Sequence, residues 1–143
     1  MSSFESPQIA WNAKAPIFVV EDDADIARLI CYHLDSSGYL TRWFPDSTSV
    51  IEEAVRSVPV LFLLDVMIPG SDGFELCRHI RSTKPLSGAH IIFLTAKGGE
   101  SNRIKGLELG GDDYITKPFS PRKLVERINA ILGQSNSQQR RTA

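Results

Sequence analysis

The chain has 143 residues, 42% of them apolar and 23% charged, with a formal net charge of -1. This balance fits one folded domain, and the near-neutral charge argues against a basic nucleic-acid surface. No stretch approaches the roughly 20 apolar residues needed to cross a bilayer. The N-terminal MSSFESPQIAWNAKAP lacks the basic start and apolar run of a signal peptide. A cytoplasmic chain with no membrane partner and no direct nucleic-acid binding is expected.

In chain order, residues 1–15 precede the first patterned segment and read as an N-terminal extension, with Ile9 and Trp11 available to dock on the domain. Ile17–Val20 is a continuous apolar run, which suits a strand buried on both faces of a parallel sheet. Ile26, Leu29, Ile30, His33 and Leu34 then recur at helical spacing, with Gly38 as the stop. Leu40–Phe44 is more polar and reads as an edge strand. A second helical stripe, Val50, Ile51, Ala54, Val55 and Val58, opens on the capping-box pattern Ser49-x-x-Glu52.

Val60–Leu64 and Ile91–Leu94 are two further buried-strand runs, separated by a helix marked by Phe74, Cys77 and Ile80. Cys31 and Cys77 sit too far apart for a metal or redox pair and read as small buried hydrophobes. The segment from Gly98 to Gly111 has glycine before, inside and after its helical part. Each interior glycine costs about 1 kcal/mol relative to alanine, so this fourth helix is expected to be the loosest. Tyr114–Thr116 is the last strand. Ser120, Pro121 and the face Leu124, Val125, Ile128, Ile131 and Leu132 define the last helix before Gly133. Residues 134–143 read as a flexible polar tail.

Alternating strands and helices predict an α/β fold, a parallel sheet with helices on both faces. Such sheets bind ligands beyond the carboxyl ends of their strands. Those ends here carry Glu21-Asp22-Asp23, Asp65, Thr95 and Lys117. Crowded carboxylates repel one another unless a cation lies between them. An oxygen-only donor set favours a hard ion, with Mg2+ the best fit. A lysine and a threonine hydroxyl opposite then suit an anionic phosphoryl group, with Asp65 as the nucleophile.

Four stretches carry a family resemblance: Ile17-Phe-Val-Val-Glu-Asp-Asp23, Leu63-Leu-Asp-Val-Met-Ile-Pro-Gly-Ser-Asp-Gly73, Ile92-Phe-Leu-Thr-Ala96 and Asp112-Asp-Tyr-Ile-Thr-Lys-Pro-Phe119. Together they resemble the receiver domain of bacterial two-component response regulators, over residues 16–133. The nearest likeness is to the branch with winged-helix DNA-binding output domains. The resemblance implies a five-stranded parallel sheet in the order 2-1-3-4-5. It also implies phosphorylation of Asp65 by a sensor histidine kinase or phosphotransfer protein. Asp22 and Asp65 would ligate Mg2+ with the Met67 carbonyl, and Glu21 would act more often through water. Thr95 and Lys117 would contact the phosphoryl oxygens, with a cis bond between Lys117 and Pro118. Asp23 is expected to start a helix rather than bind metal.

The resemblance further implies a switch in which Thr95 moves toward the phosphoryl group and Tyr114 turns inward behind it. It also implies a homodimer on phosphorylation, through the apolar patch Ile104, Leu107 and Val125 ringed by Arg103, Glu108, Asp112 and Arg127. Met67 and Lys97 are poorly suited to orient an attacking water, which predicts a long-lived phospho-aspartate. The chain ends soon after the last helix, which fits either a stand-alone receiver or one taken from a longer regulator. A receiver that signals without phosphate would be expected to lack one of Asp22, Asp65, Thr95 and Lys117. An aspartate-nucleophile phosphatase would want a carboxylate where Met67 stands.

Overall fold

Five strands and five helices alternate along residues 15–133, which the computed structural model describes. The strands are β1 (Ile17–Val20), β2 (Thr41–Phe44), β3 (Leu61–Leu64), β4 (His90–Thr95) and β5 (Asp113–Thr116). The helices are α1 (Ala24–Ser36), α2 (Val50–Arg56), α3 (Gly73–Ser82), α4 (Glu100–Glu108) and α5 (Pro121–Ile128), with a short tight turn at Lys84–Leu86. All pairings are parallel and the strand order is β2-β1-β3-β4-β5, as expected. The expectations for Ile9, Trp11 and the polar tail lie outside the described residues.

Side chains alternate across the strands, and the two faces receive different contents. Phe18, Val20, Phe62, Leu64, Ile91 and Phe93 point to one side and pack with Val50, Phe74, Cys77 and Tyr114. Ile17, Val19, Leu61, Leu63, Ile92 and Leu94 point to the other and pack with Ile30, Leu34, Leu124 and Ile128. α2 and α3 therefore cover the first face, and α1 and α5 the second. α4 joins the first face through Gly106 and Leu109.

Local signals explain most of the helix ends. Asp23 caps α1, its Oδ1 accepting the N–H of Asp25 and of Ile26 at 3.0 and 3.1 Å. Asp72 caps α3 through Glu75 N–H at 2.8 Å. Ser120 caps α5 through Lys123 N–H, with Pro121 in the first turn. Past Ile128 the chain continues in a wider helical turn, Asn129–Gly133, where the Tyr39 hydroxyl donates to Asn129 Oδ1.

Four expectations are corrected. Ser49 stands at the start of α2 but its side chain caps nothing. The carboxylate of Asp46, three residues earlier, holds the Thr48 N–H at 2.9 Å instead. Val55 and Val58 are exposed, because α2 ends at Arg56 and turns Val55 away from the sheet. Leu29 is exposed on α1, where Ala27, Ile30 and Leu34 form the buried stripe. Cys77 is buried as expected, whereas Cys31 is only half-buried. Burial pushes both thiols above their ordinary pKa.

Candidate functional site

The strand ends deliver the predicted residues to one crevice. Glu21 follows β1, Asp65 follows β3 and Thr95 closes β4, and all three are buried. Lys117 follows β5 and reaches back across the sheet, its Nζ donating to Glu21 Oε1 at 2.7 Å and to Asp65 Oδ2 at 2.8 Å. The Lys117–Pro118 bond is cis, as expected. The second oxygens of both acids are also engaged. Glu21 Oε2 accepts from Asp23 N–H and Asp65 Oδ1 from Met67 N–H, each at 3.0 Å.

Asp22 is exposed, yet it completes the cluster. One carboxylate oxygen from each of Glu21, Asp22 and Asp65 lies within 4.8 Å of the others. Three carboxylates against one ammonium leave an excess of negative charge in a partly buried crevice. The donors are all oxygen, with no thiol or imidazole among them, and this is the chemistry of a hard divalent cation. Burial raises the pKa of Glu21, partly offset by the Lys117 and Asp23 hydrogen bonds. Burial by itself would lower that of Lys117, but its bonds to Asp65 and Glu21 prevail and raise it.

The backbone around Asp65 is closely packed. A Cβ on Gly73 would come within 2.3 Å of the Asp65 carbonyl oxygen, so only glycine lets α3 start there. Next to Asp65 opens a cleft of 590 Å3 lined by Asp22, Met67, Asp72, Lys97, Asn102 and Lys105. Its Phe74 ring carries the Lys105 ammonium 4.8 Å from the centroid.

Thr95 Oγ1 accepts the Lys97 N–H at 3.1 Å. Tyr114 is already turned inward, its ring 5.7 Å from that of Phe93 and its hydroxyl donating to the Lys97 carbonyl at 2.5 Å. Its pKa is raised by burial, with a further contribution from the Asp65 charge.

The residues predicted to form a dimer face gather around the exposed edge at β5. Arg103, Ile104, Leu107 and Glu108 lie on α4, and Val125 and Arg127 on α5. Ile104 is exposed, whereas Val125 is partly buried against the second core layer. Arg127 pairs with Asp113 at 3.1 Å. The Asp112 carboxylate is committed internally. It accepts the Ile91 N–H at 2.8 Å and faces Arg81 at 3.5 Å.

Two residues of structural weight carry little mark in the sequence. The indole of Trp43 donates to the Glu21 carbonyl at 2.6 Å. Its one visible signal is a large aromatic at the polar edge strand's carboxyl end. Arg81 donates to the carbonyls of Ser87, Ala89 and Gly110 at 2.5–3.1 Å. Nothing in its helical surroundings distinguishes it from the other arginine of α3.

A doubly wound sheet whose strand ends join buried acids, a threonine and a lysine defines a receiver-type signalling domain. The family described as the response regulator receiver domain matches residues 17–129, and the chain belongs to that family. It falls in the branch with winged-helix output domains. The phosphate regulon transcriptional regulatory protein PhoB of Escherichia coli (strain K12) is 40% identical over 116 residues, covering 81% of this chain and 51% of PhoB. The transcriptional regulatory protein ResD of Bacillus subtilis (strain 168) is 44% identical over 120 residues, 84% of this chain and 49% of ResD. The solved structure of response regulator DrrB, a Thermotoga maritima OmpR/PhoB homolog, superposes with a TM-score of 0.76 at 32% identity, covering 85% of this chain and 54% of that one. The chain spans about half the length of the curated relatives it matches. Among the described residues, no helix is long and apolar enough to cross a membrane.

Proposed function

We propose that Asp65 accepts a phosphoryl group, in a Mg2+-dependent reaction, from a sensor histidine kinase or phosphotransfer protein in the cytoplasm. The observation that carries this reading is the Lys117 ammonium bridging Glu21 and Asp65 at the carboxyl ends of β1, β3 and β5. In the transfer, a carboxylate oxygen of Asp65 attacks phosphorus as the bond to the donor nitrogen breaks. An aspartyl phosphate forms and the imidazole leaves. Asp22, Asp65 and the Met67 carbonyl would hold the cation, with Glu21 acting through water. Bound there, the ion would neutralise phosphoryl oxygens as charge builds on them. Lys117 exchanges part of its contact with Asp65 for the incoming phosphoryl oxygens, and the Thr95 hydroxyl donates to another.

The output arises from movement on the Thr95 side. Drawing Thr95 toward the phosphoryl group favours the inward Tyr114 and the α4 position that goes with it. The face formed by α4, β5 and α5 then pairs with a second copy through Ile104, Leu107 and Val125, with Arg103, Glu108 and Arg127 at the rim. The chain itself binds no DNA in this reading. It controls transcription through an output domain or a partner. With Met67 and Lys97 beside the acceptor, the phospho-aspartate is expected to last minutes or more rather than seconds.

The test is phosphorylation by a small acyl phosphate with magnesium, read by intact mass and repeated with Asp65→Ala. One phosphate on the parent and none on the variant supports the reading. No phosphate on the parent at any magnesium concentration overturns it.

A further inference from the structure

The last ladder bond between β1 and β2 runs from Glu21 N–H to the Phe44 carbonyl at 3.0 Å. A parallel ladder would next offer the Glu21 carbonyl an N–H from β2. β2 ends at Phe44, however, and the chain leaves through Pro45. The Glu21 carbonyl is taken instead by a side chain, the Trp43 indole Nε1–H at 2.6 Å. Trp43 pairs with Val19 in the register and so lies on the α1 side of the sheet. It is 43% exposed, which limits its part in the core and leaves this hydrogen bond as its specific contact.

That carbonyl belongs to the peptide joining Glu21 to Asp22, so the hydrogen bond fixes the plane from which Asp22 departs. The rest of Glu21 is tied as well. Its N–H goes to Phe44, one carboxylate oxygen to Lys117 and the other to Asp23 N–H. Asp22 is the one member of the acidic cluster left exposed, and its direction depends on the peptide that Trp43 holds. We propose that Trp43 is a positioning residue for the acidic pocket. Its indole clamps the Glu21–Asp22 peptide so that both carboxylates face an incoming divalent cation. This rests on the cation-dependent reading of the pocket.

The experiment is a titration with magnesium chloride alone, followed by the backbone amide resonances of Asp22, Asp65 and Met67. The Trp43 indole N–H resonance, assigned by its disappearance in Trp43→Phe, is monitored alongside. Trp43→Phe keeps a ring and removes the donor. Leu40→Ala, an exposed change just before the same strand, controls for loosening of the edge. The parent's indole resonance is expected to shift with the same midpoint as the amides. Trp43→Phe is expected to raise that midpoint on the order of ten-fold, as loss of outer-sphere partners typically does, while Leu40→Ala leaves it in place. A parent that titrates normally beside a Trp43→Phe variant with the same midpoint overturns the positioning role and leaves the pocket standing. An equal rise in both variants reduces Trp43 to a strand-edge residue and also overturns it. A parent with no response at the acidic residues overturns both this inference and the cation-dependent reading.

Discussion

The same strands line two layers that are built differently. On the α1 and α5 side the sheet presents branched aliphatic side chains to Ile30, Leu34, Leu124 and Ile128, under two helices with side-chain caps. On the α2, α3 and α4 side the rings of Phe74, Phe93 and Tyr114 follow one another, the first pair edge to face and the second tilted, with centroids 5.3 and 5.7 Å apart. Part of their cover is α4, which opens on Gly99 with no side-chain cap and buries only Gly106. Thr95 lies on this ring-bearing side, in step with Ile91 and Phe93 along β4. The aliphatic layer therefore acts as scaffold. Thr95 and Tyr114, the residues of the proposed switch, belong to the side that carries these rings.

The largest effect expected from breaking this contrast comes from the scaffold. Leu34→Ala or Ile128→Ala should cost about 2–5 kcal/mol in denaturant unfolding, while Asp65 still takes phosphate below the transition. Loss of phosphorylation in a folded variant would mean that the scaffold also shapes the site.

Next comes Gly106. A Cβ there would meet the Tyr114 ring at 2.9 Å and the Phe93 ring at 3.1 Å, so Gly106→Ala should cost about 1–3 kcal/mol. The double variant Gly106→Ala/Tyr114→Ala should then be more stable than the two single costs add up to, since the clash has lost its partner. Strict additivity in thermal unfolding would show that the two residues do not share this space.

Arg81→Ala should cost about 1–2 kcal/mol by leaving several carbonyls without their donor. Hydrogen exchange should rise at Gly110 and Gly111 more than at α5. The smallest effect concerns Tyr114 and alkali. Its folded pKa lies above the ordinary 10.0, so the unfolded chain ionises first and stability falls as pH rises past that value, until the folded phenol ionises too. Tyr114→Phe should lack this component, differing from the parent by under about 1 kcal/mol in urea midpoints compared at pH 9 and 11.

Strands are readable from the sequence because both faces of β1, β3 and β4 are buried, which writes a continuous apolar run that few other elements produce. The site is readable because the topology places every strand end at one edge, so acids and a lysine distant in sequence have to converge. What escapes a reading of the sequence depends on reach or on termination. Trp43 meets a carbonyl 22 positions away, and no periodic pattern records such a contact. Val58 belongs by spacing to a stripe that α2 does not run long enough to carry. Gly106 reads as a weak point in a helix, a statement about backbone entropy. The structure adds a second reason for it, since the rings beneath leave no room for a methyl group.

Arg81 holds the turn after α4 by the Gly110 carbonyl, while the other end of that helix hangs on Gly98 and Gly99. Mechanically this makes α4 a beam clamped at its β5 end and held at the other through Lys97, whose N–H meets Thr95 and whose carbonyl meets Tyr114. Displacement of such a beam is least at its clamp and grows with distance from it. In the proposed switch, a pull on Thr95 would reach α4 through these two bonds, at the end far from the clamp.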